Sequence, residues 1–142
     1  MGDLSAIRGL LSRVPQIGTV NVPVLYPILA NPTTVTAGTS DWGLGAWAQV
    51  VSSGTIGAAT LTAVYWRRQS NAIIEHQLEI GQGAAGSESV VWRVPTYRGL
   101  DNVNFRTYLS VPCQPPRSVD ANARLAARLA SSTQGDTMTV KL

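Results

Sequence analysis

The sequence predicts an all-β protein, an antiparallel sandwich or barrel preceded by a short N-terminal helix and an extended arm. Three observations carry this. β-Branched residues, Gly, Pro and small polar residues run from end to end. Short apolar stretches are separated by turn-forming clusters at near-regular spacing. The side chains from which reactive sites are usually built are scarce, with one Cys (Cys113), one His (His76) and one Lys (Lys141) in 142 residues. Many short strands with turn signals between them imply sheets that close on one another. The length fits one domain, and a chain of this size buries roughly two-thirds of its unfolded surface.

Residues 3–14 read as a short amphipathic helix. Leu4, Ile7, Leu10, Leu11 and Val14 recur at three- and four-residue spacing and share one face. Asp3 is a good N-cap and Pro15 a good stop, while Gly9 weakens the segment. So short a helix needs a surface to lie against. Residues 15–37 come next as an extended arm, with Pro15, Pro23, Pro27 and Pro32 punctuating Val20, Val22, Val24, Leu25, Ile28 and Leu29. Proline removes a ladder donor, so this stretch suits either an edge of the chain's own sheet or a strap across a neighbouring subunit. The sandwich domain is expected over 38–142, with strands over 46–53, 60–68, 73–80, 88–94, 103–111 and 137–142. Turn compositions separate them: Ser52-Ser53-Gly54, Gln69-Ser70-Asn71, the Gly-rich 81–86, Arg98–Asn102 and Gln134-Gly135-Asp136. Residues 122–132 are ambiguous. Ala, Leu and Arg favour helix, but period two places Leu125, Ala127 and Leu129 on one face and Arg124, Ala126 and Arg128 on the other, and strand is favoured.

Only 13% of residues are charged, about half the usual ~25%. A surface so poor in charge tends to self-associate, so part of it is expected to be covered by other subunits. Net charge is +3, from ten Arg and one Lys against eight acids. The arginines are dispersed and only Arg67 and Arg68 are adjacent, so no specific nucleic-acid partner is expected. One cysteine forms no intrachain disulfide and no Cys-rich metal site; Cys113 reads as a small buried hydrophobe. The first residues do not read as a secretory signal, and no apolar run approaches the ~18 residues of a membrane span.

Gly81-Gln82-Gly83-Ala84-Ala85-Gly86 matches the dinucleotide fingerprint. That chemistry needs a helix next, whose N-terminus meets the pyrophosphate. Here the β-branched run Ser89–Val94 comes next, so the segment reads as a hairpin and no cofactor is expected. His76 has no further His or Cys to share a metal with. No Gly-x-Ser-x-Gly elbow accompanies it, so it reads as a surface or interface histidine. Glu75 and Glu79 would share a strand face some 13 Å apart at ~3.3 Å rise per residue, too far for the carboxylate pair of a glycosidase. No catalytic or metal-ligating residue is therefore expected, and the protein does not read as an enzyme. Of Trp42, Trp47, Trp66 and Trp92, most are expected in the core. Trp42, next to Gly43 and Gly45, is the candidate surface aromatic.

Gln77–Glu88, with its Ile-Gly-Gln-Gly-Ala-Ala-Gly-Ser-Glu turn, and Arg124–Ser132, Arg-Leu-Ala-Ala-Arg-Leu-Ala-Ser-Ser, together resemble segments of small virion proteins of tailed bacteriophages and prophages. The likeness covers residues ~40–142 and leaves the helix and arm outside. It implies a jelly-roll-like domain in an assembled particle and strengthens the strand reading of 122–132. It reads Gly81, Gly83 and Gly86 as turn glycines and supplies no catalytic residues. The expected role is a capsid decoration (cement) protein of the virion; a tail, collar or spike component touching host glycans is the alternative. The expected partners are other copies of the chain, a trimer by analogy with decoration proteins on local threefold axes, and the major capsid protein or other virion proteins. The contacts are expected through Leu4, Ile7, Leu10, Leu11, Val22, Val24, Leu25 and Tyr26.

Overall fold

The computed structural model describes residues 32–68, 75–96 and 108–142. Their regular structure is all strand: β1 Thr33–Thr36, β2 Ala48–Val51, β3 Ala59–Arg68, β4 His76–Gln82, β5 Ser89–Thr96, β6 Leu109–Val119, β7 Leu125–Ser131 and β8 Thr137–Lys141. They form two four-stranded sheets. The first has the order β1-β8-β3-β6 and the second β2-β7-β4-β5. Every pairing is antiparallel. The pairs β1–β8, β2–β7, β3–β6 and β4–β5 are those of a single long ribbon folded back at the β4–β5 turn. The β8–β3 and β7–β4 pairings then wrap that ribbon into two facing sheets, which is the jelly roll. The expected helix over 3–14 and most of the expected arm lie outside the described residues.

Alternation along the strands builds the core. Leu78 and Ile80 of β4, Leu125, Ala127 and Leu129 of β7, Val64 and Trp66 of β3, and Met138 and Val140 of β8 all point inward and are buried. Ile80 stands opposite Ala127 and Leu78 opposite Leu129, so the β4–β7 register stacks the inner residues in pairs. The ambiguous segment is a strand because β7 has a hydrogen-bonded neighbour on each side, β2 and β4. Pairing on both edges overrides the helix preference of Ala, Leu and Arg.

Two strands differ from the sequence expectation. Of the strand expected over 103–111, residues 103–107 lie outside the described residues and 109–111 are strand, but β6 continues to Val119 through Pro112, Pro115 and Pro116. Prolines are unfavourable inside a central strand. They are accommodated because β6 is an edge strand, where a missing N–H is not needed, and because the β3–β6 register breaks between Leu61 and Ala63. The second difference is β1, which falls inside the segment assigned to the arm. Thr33–Thr36 pair with Thr137–Val140, and Val35 and Ala37 are buried in the core. This stretch is an edge of the chain's own sheet, the first of the two alternatives that its prolines leave open.

The Gly-rich segment forms the β4–β5 turn and leads into β5, not into a helix. Gly83 holds φ at +130°, and an added Cβ would sit 3.0 Å from the Ser87 carbonyl oxygen. Replacing Gly83 by Ala should therefore lower stability by about 1 kcal/mol or more; equal midpoints of urea unfolding for the two proteins would contradict this. Because β1 begins at Thr33, a chain starting at residue 32 should keep a cooperative, strand-rich unfolding transition. One starting at residue 38 loses β1 with Val35 and should melt several degrees lower, as buried aliphatic side chains are each worth about 1.5–3 kcal/mol. Circular dichroism melts of the two truncations check this.

Candidate functional site

The outer face of the second sheet carries an ionic layer. In the register of β5, β4 and β7, Arg93, Glu79 and Arg128 stand in one row. Arg93 Nε donates to Glu79 Oε1 at 2.6 Å, and Arg128 Nε donates to Oε2 at 2.7 Å. The Glu79 side chain is 1% exposed, against 64% for Arg93 and 24% for Arg128. The guanidinium of Arg128 lies 4.3 Å from the ring centroid of Trp47, a contact worth roughly 0.5–2 kcal/mol. The same indole lies over Gly81, where an added Cβ would come within 2.7 Å of the ring. Gly81 is thus not a turn glycine as expected. It sits inside β4, and its missing side chain lets the indole rest on the strand. Ala126, paired with Gly81, has no exposed surface.

A second carboxylate is held in the same way. Arg124 Nη1 donates to Glu88 Oε1, and Arg124 Nε donates to Gln49 Oε1 at 3.1 Å. The Glu88 side chain is 1% exposed. Burial alone pushes both carboxyls up. Hydrogen bonds from Arg93 and Arg128 outweigh it at Glu79, and those from Arg124 outweigh it at Glu88, so both titrate below the ordinary glutamate value. A carboxyl held ionised in this way does not serve as a general acid near neutral pH. These pairs tie strands together.

His76 is buried, not at the surface as the sequence reading expects. It shares the inward phase of Leu78 and Ile80 on β4, and its side chain is 1% exposed. Its Nε2 lies 2.5 Å from Asp136 Oδ2, in the turn that enters β8. The pair therefore joins the two sheets at one end of the sandwich. The Asp136 carbonyl also accepts from Ala37 N at 2.8 Å, which fixes the end of β1 at the same point. Glu75-His76-Gln77 looks hydrophilic locally, and the partner that makes burial tolerable stands 60 residues away. Glu75, expected to share a face with Glu79, is exposed just before β4, while Glu79 is locked in its row. Cys113 is buried in β6, where burial pushes its thiol up and keeps it protonated. Among the described residues no group of three or more His, Cys, Asp or Glu is placed to hold a metal ion. No helix among them is long and apolar enough to cross a membrane.

The tryptophans divide by environment. Trp66 is core, Trp92 packs partly against it, and Trp47 belongs to the outer ionic layer with Arg128. Trp42 is 48% exposed and has φ of +59°. Its backbone is pinned, with Trp42 N donating to Ser131 O at 2.7 Å and Gly45 N donating to Leu129 O at 2.8 Å. Segment 42–45 thus runs along β7 ahead of β2. Leu44 beside Trp42 is 44% exposed, and together they form an apolar tip. The expected contact residues Leu4, Ile7, Leu10, Leu11, Val22, Val24, Leu25 and Tyr26 lie outside the described residues. Compared with known proteins, the chain matches no family model, no curated protein and no solved structure.

The ionic row yields a graded prediction. Glu79→Gln should destabilise by about 1–3 kcal/mol, because it leaves two guanidinium groups short of their acceptor. Arg93→Ala should stay below about 1 kcal/mol, since that side chain is mostly solvated. Arg128→Ala should fall between, losing the Trp47 contact as well. The folded-state titration of Glu79 lies below its unfolded value. Its contribution is therefore complete above the ordinary glutamate range, near pH 4.3, and is lost as pH falls further. The gap between wild type and Glu79→Gln in urea unfolding should hold constant from about pH 5 upward and narrow toward pH 3. A gap that widens on acidification would contradict the assignment.

Proposed function

We propose that the protein is a structural component of a bacteriophage particle, a capsid decoration (cement) protein that stabilises the shell through subunit–subunit contacts. The observation that supports this best is the strand order β1-β8-β3-β6 facing β2-β7-β4-β5, read with the Gly-turn and late-strand motifs that resemble small virion proteins. Jelly rolls serve in capsid, lectin and cupin proteins alike, and a fold alone does not fix a role. The motifs favour the particle within that set. The low charged fraction of 13% favours it too. So does the use of His76, Glu79, Glu88 and Asp136 in internal pairs. The proposed mechanism is burial. Apolar surface of the N-terminal segment packs on neighbouring subunits at ~25 cal/mol per Å², less the costs of association.

A second reading places the protein in the tail, collar or spike, touching host glycans. The exposed tip of Trp42 and Leu44 favours it, since a rigid aromatic on a pinned loop is a workable sugar platform. The readings separate on where the activity resides, in the N-terminal segment for decoration and at the tip for glycan contact.

Sedimentation of the full chain should give a species heavier than the 15.1 kDa protomer at micromolar concentration, a trimer by the family analogy. The chain starting at residue 32 should sediment as a monomer and fail to join particles. A monomeric full chain, or a truncation that still assembles, would sink the decoration reading. Loss of glycan-array binding on Trp42→Ala, with assembly intact, would support the second.

A further inference from the structure

The two sheets treat their outward-facing cations differently. At the second sheet Arg93, Arg124 and Arg128 are each matched to a buried glutamate. The four strands of the first sheet contain Arg67, Arg68, Arg117 and Lys141 and no Asp or Glu at all. Arg67 and Lys141 stand on its outer face, because their neighbours Val64, Trp66, Val140 and Leu142 are buried inward. Tyr65 stands opposite Lys141, and Arg67 opposite Thr139. Both cations converge on one ring: the Arg67 guanidinium is 5.6 Å from the centroid of Tyr108, and the Lys141 ammonium is 5.1 Å from it. Neither has a carboxylate partner among the described residues.

Two like charges gathered on a single tyrosine repel one another, and ring contact offsets only part of that. Thr139, opposite Arg67, is buried and donates to the Arg67 carbonyl, while Arg67, Lys141 and Tyr108 are half-buried around it. We propose that this face, centred on Arg67, Lys141 and Tyr108, docks an acidic segment of a partner protein. Carboxylates are the charge-complementary occupant. A polynucleotide fits less well, since it calls for a longer row of phosphate contacts and open aromatic faces for its bases, and here the ring is already engaged by the two cations. The inference rests on the first sheet alone and stands whether or not the particle reading holds.

The test is fluorescence anisotropy of a labelled deca-glutamate peptide titrated with the full chain, at about 20 mM and about 300 mM salt. Wild type should bind at low salt and weaken as salt rises. Arg67→Gln and Lys141→Gln should each weaken binding several-fold, and together about tenfold or more, since an exposed ion pair is worth up to a factor of about five. Arg67→Lys keeps the charge and should keep the binding, which guards against a variant that merely misfolds. Arg93→Gln removes an equal charge from the other sheet and should change affinity by less than about twofold. Absence of wild-type binding overturns the proposal, and so does an Arg93→Gln effect as large as that of Arg67→Gln. Tighter binding of an oligothymidine of equal length would assign the face to nucleic acid instead.

Discussion

The fold depends on one constraint, the register set where the ribbon doubles back between β4 and β5. Gly83 and Gly86 take positive φ there; the strands leave the turn with Gln82 opposite Ser89, and a one-residue register shift between Gly81 and Ile80 then brings Leu78 opposite Val94. A slip of one residue at this point would turn Leu78 and Ile80 to solvent and Glu79 into the core. It would also propagate, because β4 pairs with β7 on its other edge. A charged residue between two core positions makes the correct register far more favourable than its neighbour. Glu79 is thus a register pin as well as a salt-bridge partner. Its burial is tolerable only on the face where Arg93 and Arg128 stand.

The second closure joins residues far apart in the chain. His76 opens β4 and Asp136 precedes β8, so their contact fixes how the two sheets overlap at one end. The backbone bond from Ala37 to Asp136 and that from Ser132 N to Glu75 O at 3.0 Å gather the ends of β1, β4, β7 and β8 around the same point. Polar groups buried in this way have few alternative arrangements, and a sandwich of small aliphatic residues needs such groups to choose one packing among many. Val, Ala and Thr interdigitate at low cost in several offsets, whereas an imidazole with a single carboxylate partner does not.

How legible each element is in the sequence depends on the range of its signal. Strand alternation is local, and it reveals β3, β4, β5 and β8 within a few residues of their ends. In β7 the period-two placement of Leu125, Ala127 and Leu129 outweighs a composition that favours helix, because an amphipathic helix would not place three apolar residues at every second position. The continuation of β6 past Val111 is hidden because three prolines are unfavourable in a strand unless it is known to be an edge, and edge status is a property of the whole sheet. β1 is left undecided by the sequence, because whether such a stretch pairs with its own sheet or with a neighbour is also a property of the whole sheet. The burial of His76 is invisible locally because its environment is made by Asp136. Gly81 reads as a turn residue because the indole that needs its bare backbone belongs to Trp47, just ahead of β2. In each case the deciding partner is distant in sequence.

Once the internal pairs are assigned, the chemistry that the sandwich offers outward is limited and specific. Glu79, Glu88 and Asp136 face inward or lie beneath arginines. The tip of Trp42 and Leu44 lies beside β7. The cations around Tyr108 lie on the other sheet. These two surfaces differ in chemistry, one apolar and one cationic, so they suit different neighbours. Under the proposed decoration role, two dissimilar surfaces on opposite sheets give one small domain separate places to meet separate neighbours. Simultaneous weak contacts add through effective concentration. Under that proposal no single tight interface is needed, because each contact is strengthened by the others.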